Sequence, residues 1–210
     1  MLIIQSIVNI SEVNFYIMSS IIKLRGKGVS RVINSKVMLS PLAGVTDKIF
    51  RKLVRKWAPE SLLFTEMINA TSLNYGYGTK KIKQLELEKG PIGVQIFDNR
   101  PFAVSEAAKL AEDSGAFLID INMGCPVKKI SRKGGGSALI NDRLLAIELV
   151  KRVSNAVKVP VTVKTRLGWE NKEENIEEFL LSLQDAGAEM ITLHGRTRKE
   201  GFSGKADWEM

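Results

Sequence analysis

Cys125 is the only cysteine in the chain, and His194 is the only histidine. Cys125 sits in Asn122-Met123-Gly124-Cys125-Pro126, directly after an apolar run. The basic stretch Lys128-Lys129-Ile130-Ser131-Arg132-Lys133 and the triplet Gly134-Gly135-Gly136 follow it. A lone cysteine is most often a small core residue. Its cationic neighbours point elsewhere, because they lower a thiol's pKa by proximity and offer contacts to phosphate. No histidine lies nearby in sequence to act as base, which disfavours nucleophilic thiol catalysis. The thiol suits a general acid that gives a proton to a carbanion-like carbon. One cysteine and one histidine support no zinc site, so no metal is expected.

Lys164 closes the run Val161-Thr162-Val163 and is expensive to bury without an anionic partner. It can hold a ligand oxygen or phosphate, or pair with Glu66 or Asp120. Arg166 supplies a second cation two residues on. His194 ends another apolar run, and Gly195 after it permits close backbone approach, which favours binding of a ring or phosphate. Gln95 and Asn122 end two further runs. Each amide both donates and accepts, which suits the edge of a planar heterocycle.

These side chains close apolar runs that alternate with amphipathic stretches. Strands are expected at 37–39, 61–64, 92–97, 117–121, 159–164 and 190–193. Helices are expected from Thr46 or Asp47 to Trp57, with Ile49, Phe50, Leu53 and Val54 on one face, and at 101–114, 142–157 and 173–186. Near-continuous apolar strands bounded by helices mean a parallel sheet covered on both faces, either a barrel or a doubly wound sheet. Ser40, Glu66, Gln95, Asn122, Lys164 and His194 all close strands, and a barrel gathers such ends at one mouth. No G-x-G-x-x-G follows the first strand, which weighs against a classical dinucleotide domain. The expected fold is an α/β (β/α)8 TIM barrel. A complete one needs about 250 residues, and six strands are legible, so the barrel is expected to be incomplete, with its last two strands missing.

Composition bounds the reading. A hydrophobic share of 44% with 26% charged residues is ordinary for a globular protein. The formal charge of +8 favours polyanionic partners. A single cysteine excludes an internal disulfide framework and fits a reducing cytoplasm. Residues 2–22 lack the basic start of a signal peptide. Gln5, Ser6, Asn9, Ser11, Glu12 and Asn14 break their apolar character, so no membrane span is expected. Residues 1–35 are expected to form a poorly ordered leader ahead of a catalytic barrel domain at 36–210.

Five motifs carry a resemblance: Met38-Leu39-Ser40-Pro41-Leu42-Ala43-Gly44-Val45-Thr46-Asp47, Val94-Gln95-Ile96-Phe97, Asn122-Met123-Gly124-Cys125-Pro126-Val127-Lys128-Lys129, Val163-Lys164-Thr165-Arg166-Leu167-Gly168 and Leu193-His194-Gly195-Arg196-Thr197. In this order they resemble the tRNA-dihydrouridine synthases, of the bacterial and archaeal type with a stretch like Gly136-Ser137-Ala138-Leu139. The resemblance implies an FMN-dependent reductase acting on tRNA uridines, with NADPH or NADH as electron donor. FMN would pass hydride to C6 of the uracil ring, and Cys125 would protonate C5. It implies that Pro41, Leu42 and Ala43 lie along the flavin, and that Gln95, Lys164 and His194 hold its ring and phosphate. Asn122, Lys128, Lys129, Arg132, Lys133, Arg166 and Arg196 would contact the substrate. A uridine must leave its stack to reach a barrel mouth, and the basic loop would grip RNA backbone in a salt-dependent way.

The family's C-terminal helical domain has no counterpart among the motifs, so a C-terminally truncated member is expected, monomeric and cytoplasmic. Two rival readings stand beside this one. An inactive fragment or remnant RNA-binding protein would lack a flavin band near 450 nm. A small-molecule FMN reductase of the dihydroorotate dehydrogenase or old-yellow-enzyme type would leave the basic loop without a purpose.

Overall fold

The computed structural model describes residues 7–8, 21–83, 85–173 and 175–209. β1 (Ile7–Val8) precedes a hairpin of β2 (Ile22–Arg25) and β3 (Ser30–Ile33), and β4 (Met38–Leu39) opens an alternation of strands and helices. α1 (Lys48–Trp57) begins where Asp47 Oδ1 accepts the Phe50 N–H at 2.8 Å, an N-cap bond to one of the helix's orphan donors. β5 (Leu62–Phe64) and β6 (Ile68–Asn69) lead into two short helices, α2 (Ala70–Asn74) and α3 (Thr79–Lys83). β7 (Ile92–Phe97) is followed by α4 (Pro101–Asp113), which opens on Pro101, at a position whose N–H would have no partner inside the helix. Next come β8 (Leu118–Asn122), the short α5 (Lys128–Ser131) and α6 (Arg143–Ala156), the last capped by Asp142 through the Leu145 N–H at 3.2 Å. β9 (Val161–Arg166), α7 (Ile176–Asp185) and β10 (Ala188–His194) complete the described elements.

β4, β5, β7, β8, β9 and β10 are parallel neighbours in chain order. A doubly wound sheet reverses its order at a switch point, and this sheet does not, so its winding is that of a barrel. The six strands coincide with the six apolar runs expected from the sequence. β5 pairs with the start of β7 and β6 with its end, so the two form one strand line parted at Thr65-Glu66-Met67. Thr65 Oγ1 spans the gap by accepting the Gln95 N–H at 3.2 Å. β1 lies antiparallel along the other edge of β10.

The period-2 alternation of the strands sorts their side chains. Val94, Ile96, Ile119, Ile121, Val161 and Val163 face outward into one core with Val104 and Ala108 of α4, Leu149 and Val153 of α6, and Phe179 and Leu183 of α7. Leu62, Phe64, Leu118 and Met190 form a second cluster with Leu24 and Ile33 of the hairpin. Most of these sheet residues lie at strand starts, so the hairpin fills the N-terminal end of the sheet's inner face. At this level the packing leaves room only for glycine at position 93, where a Cβ would come within 2.7 Å of the Phe64 ring and 2.8 Å of Leu118.

Two expectations are corrected. The hairpin falls within 1–35, where the sequence predicts a poorly ordered leader, yet Leu24 and Ile33 are fully buried and anchor 22–33. Residues 1–6 and 9–20 lie outside the described residues. The apolar face expected on α1 is split: Phe50 and Val54 are half-buried, whereas Ile49 and Leu53 are exposed. The buried side chain of that helix is Arg51, which donates to the Thr46 carbonyl at 2.7 Å and pairs with Glu88. No helix among the described residues is long and apolar enough to cross a membrane.

Candidate active site

On β8, Leu118-Ile119-Asp120-Ile121-Asn122 alternates outward isoleucines with inward Leu118, Asp120 and Asn122. Strand register stacks the inward polar residues in rows. Gln95, Asp120 and Thr162 are cross-strand partners, Asn122, Lys164 and Thr192 form the next row, and Arg166 with His194 form the row nearest the mouth. The rows rise from the filled floor toward the C-terminal strand ends, so Gln95, Asn122, Lys164, Arg166 and His194 gather on one side, as the sequence predicts.

Beyond Asn122 the chain turns sharply, and nearly every polar group of the turn is engaged. Asn122 Oδ1 accepts the N–H groups of Gly124 and Cys125 at 3.2 and 2.9 Å. Met123 N–H donates to the Lys164 carbonyl at 2.8 Å, and Ser137 N–H donates to the Cys125 carbonyl at 3.1 Å. Gly136, at φ 60°, closes over the cysteine; a Cβ there would meet Cys125 backbone oxygen at 3.0 Å and its Cβ at 3.1 Å. Cys125 is buried, at 8% exposure.

The thiol's ionisation departs from the sequence reading. Burial pushes the Cys125 pKa above its ordinary value, opposed by the Val127 N–H and by the charges of Arg166 and Lys164. The basic loop is not among the causes. Lys128, Lys129, Arg132 and Lys133 are all exposed and make no ion pair among the described residues, so water screens their charge from the thiol. A thiol held protonated is a proton donor in waiting, not a nucleophile.

Arg166, the expected second cation, is engaged by backbone carbonyls. Its guanidinium donates to the carbonyls of Gly124 at 2.6 Å, Thr197 at 3.0 Å and Gly201 at 2.9 Å, bracing the cysteine loop against the segment after β10. Burial lowers it to about 10, still charged at neutral pH. Gln95 and Asn122 are also occupied. Gln95 Nε2 donates to Asp120 at 2.7 Å, and its Oε1 accepts from Asn122 Nδ2 at 2.9 Å. The close approach at Gly195 comes from the chain itself: Asp207 N–H donates to its carbonyl at 2.6 Å, and a Cβ on Gly195 would meet the Asp207 carbonyl oxygen at 2.1 Å.

Other polar groups have no hydrogen-bond partner among the described residues. No hydrogen bond within the described residues engages the Lys164 ammonium, whose burial lowers it to about 8 against the opposing charge of Asp120. His194 Nδ1 and Arg196 Nε are buried without a hydrogen-bond partner among the described residues. Burial and the charges of Arg166 and Lys164 push His194 down to about 3, so it is neutral near pH 7. Arg196 otherwise donates to the Gly204 carbonyl at 2.6 Å. Pro41, Leu42 and Ala43 form the loop after β4, tied down by the Leu42 N–H to Thr46 Oγ1 at 3.0 Å and by the Gly44 N–H to Glu66 at 2.7 Å. Glu66 pairs with Lys81, not with Lys164. Thr162 carries no sequence signal of function beyond a polar residue breaking an apolar strand, and Asp120 none beyond its candidacy as a partner of Lys164. Among the described residues, no cluster of three His, Cys, Asp or Glu side chains is arranged to hold a metal.

The model of the family described as Dihydrouridine synthase (Dus) matches residues 38–210. A "Probable tRNA-dihydrouridine synthase 1" from Synechocystis sp. is 51% identical over 180 residues, covering 86% of this chain and 51% of the relative. A "Probable tRNA-dihydrouridine synthase" from Rhodobacter capsulatus is 40% identical over 174 residues, covering 82% and 53%. "tRNA-dihydrouridine synthase B" from Vibrio parahaemolyticus is 37% identical over 180 residues, covering 84% and 55%. The chain therefore spans about half the length of the curated relatives it matches. Among solved structures, histamine dehydrogenase from Rhizobium sp. 4-9 shares the fold at a TM-score of 0.55 and 12% identity, over 75% of this chain and 34% of that one. By the family match and by relatives of this similarity, the chain belongs to the dihydrouridine synthase (Dus) family.

Proposed function

We propose that the protein reduces uridine in tRNA to 5,6-dihydrouridine, with FMN as its flavin and NADPH or NADH as electron donor, acting as a monomer in the cytoplasm. The observation that carries this reading is the placement of Cys125. It is a buried, protonated thiol at the mouth of a barrel-type sheet, within reach of the charges of Lys164 and Arg166 and followed in the chain by exposed cations.

The donor set fits a flavin. The Lys164 ammonium, the orphaned Nδ1 of neutral His194 and Arg196 Nε are hydrogen-bond donors, or can be, and a flavin brings ring carbonyls and a phosphate that accept. Lys164 and His194 would hold the ring and phosphate, with the Pro41-Leu42-Ala43 loop beside them. Gln95 would act from the row beneath, through Asn122. When bound and reduced by NADPH or NADH, FMN supplies the hydride that the uracil ring takes at C6.

Cys125 gives its proton to C5 of that ring. The raised pKa keeps the proton on sulfur until the carbon demands it, and the charges of Arg166 and Lys164 steady the thiolate left behind. Arg166 holds the loop that carries the thiol, while Lys128, Lys129, Arg132 and Lys133 meet the phosphates of an RNA whose uridine is turned out of its stack. The exposed cations next to Cys125 favour a polyanionic substrate over a small neutral one.

The test is incubation of the protein with FMN, NADPH and tRNA lacking dihydrouridine, read by mass spectrometry of the nucleosides. Dihydrouridine that forms only when FMN is present supports the reading. Reduction of free uridine as fast as tRNA would favour the small-molecule alternative.

A further inference from the structure

Beneath the mouth lies a buried carboxylate that has no direct part in the proposed reaction. Asp120 is 1% exposed. Its Oδ1 accepts the Thr162 hydroxyl at 2.6 Å, and its Oδ2 accepts Gln95 Nε2 at 2.7 Å. Gln95 Oε1 in turn accepts Asn122 Nδ2 at 2.9 Å, and Asn122 Oδ1 accepts the N–H groups of Gly124 and Cys125. One continuous run of hydrogen bonds therefore joins Asp120 on β8 to the backbone of the proton donor, by way of β7.

A primary amide has a donor end and an acceptor end of nearly equal shape, and a half-turn of its last bond exchanges them. Only its neighbours fix which end points where. An ionised carboxylate accepts and cannot donate, so it draws the Gln95 NH2 group toward itself. The Gln95 carbonyl must then face Asn122, which presents its own NH2 there and turns its carbonyl to the cysteine loop. In the reverse sense, Asn122 would point NH2 at two backbone donors and leave both unsatisfied in a buried place. Burial raises Asp120 to about 6, opposed by Thr162, Gln95 and the charge of Lys164, so it is ionised at pH 7.5.

We propose that Asp120 is a positioning residue, which sets the direction of the Gln95–Asn122 relay and thereby keeps the Cys125 loop closed. Its significance for catalysis rests on the reading of Cys125 as proton donor, but the relay itself can be tested without substrate. Cys125 is the only thiol in the chain, so iodoacetamide labelling followed by intact mass reports on this loop alone.

Asp120→Asn keeps the shape but offers Gln95 either end of an amide. It is expected to label at pH 7.5 roughly fivefold faster or more, through more frequent local opening of the loop. Gln95→Leu cuts the relay and should do the same. The double variant should label no faster than Gln95→Leu, because both changes act through one path. Ile119→Val, on the same strand but facing the helices, should lower the melting temperature and leave labelling unchanged. Wild-type labelling in Asp120→Asn, or additive effects in the double variant, would overturn the proposal. In the reductase assay, Asp120→Asn should lower kcat with KM unchanged. A lack of reduction by the unsubstituted protein would instead count against the proposed function, with labelling still deciding the relay.

Discussion

A group that must deliver a proton at neutral pH works best when its surroundings keep the proton on until the acceptor is in place. Burial does this for Cys125, and the nearby charge that matters is that of Lys164 and Arg166, not that of the basic loop. Lys164 is the cation of the site that titrates near neutrality, at about 8. Its cation is present below that pH and lost above it, so kcat/KM for uridine reduction should fall with rising pH through about 8, by about tenfold per unit. Lys164→Arg, whose guanidinium stays charged, should move that limb upward; a pH–rate profile of the two proteins checks it. Cys125, Lys164 and His194 were legible because polar residues closing apolar runs stand out in one dimension. The tasks of Arg166, Gln95 and Asn122 were not. Whether a side chain meets a ligand or a backbone carbonyl depends on what the register places opposite it, and Asp120 reads from sequence only as a candidate counter-charge to Lys164.

At the scale of elements, α5 is one turn of helix with its lysines facing water and Ser131 buried, tied to the glycine triplet by the Gly135 N–H, which donates to the Ile130 carbonyl at 3.3 Å. A cluster of this kind binds phosphate through counterion release. Replacing Lys128, Lys129, Arg132 and Lys133 by Ala should reduce the slope of log affinity for tRNA against log salt by roughly 3, at about 0.7–0.9 per phosphate contact. Filter binding across a salt series measures this, and an unchanged slope would place the RNA elsewhere. The Cys125 labelling rate should stay as it is, since these cations do not set the thiol's pKa. The helix boundaries around Asp47, Pro101 and Asp142 followed from capping chemistry that the sequence states openly. The hairpin at 22–33 did not, because two short strands of mixed polarity carry little periodic signal until the end of the sheet they cover is known.

At the scale of the molecule, the order of six parallel strands decides between barrel and doubly wound sheet. The sequence supported this choice only indirectly, through the polar residues at the strand ends. That winding brings residues as distant in sequence as Asn122 and His194 to one mouth and leaves a single thiol among them. We propose this thiol as the proton donor of a flavin-dependent uridine reduction. Its most direct test compares the protein with its Cys125→Ala variant for dihydrouridine formed in tRNA, with the bound-flavin band near 450 nm followed alongside. An unchanged flavin band and loss of dihydrouridine by at least about 100-fold, the usual scale for removing a general acid, are expected. Equal dihydrouridine from both proteins would contradict that proposal.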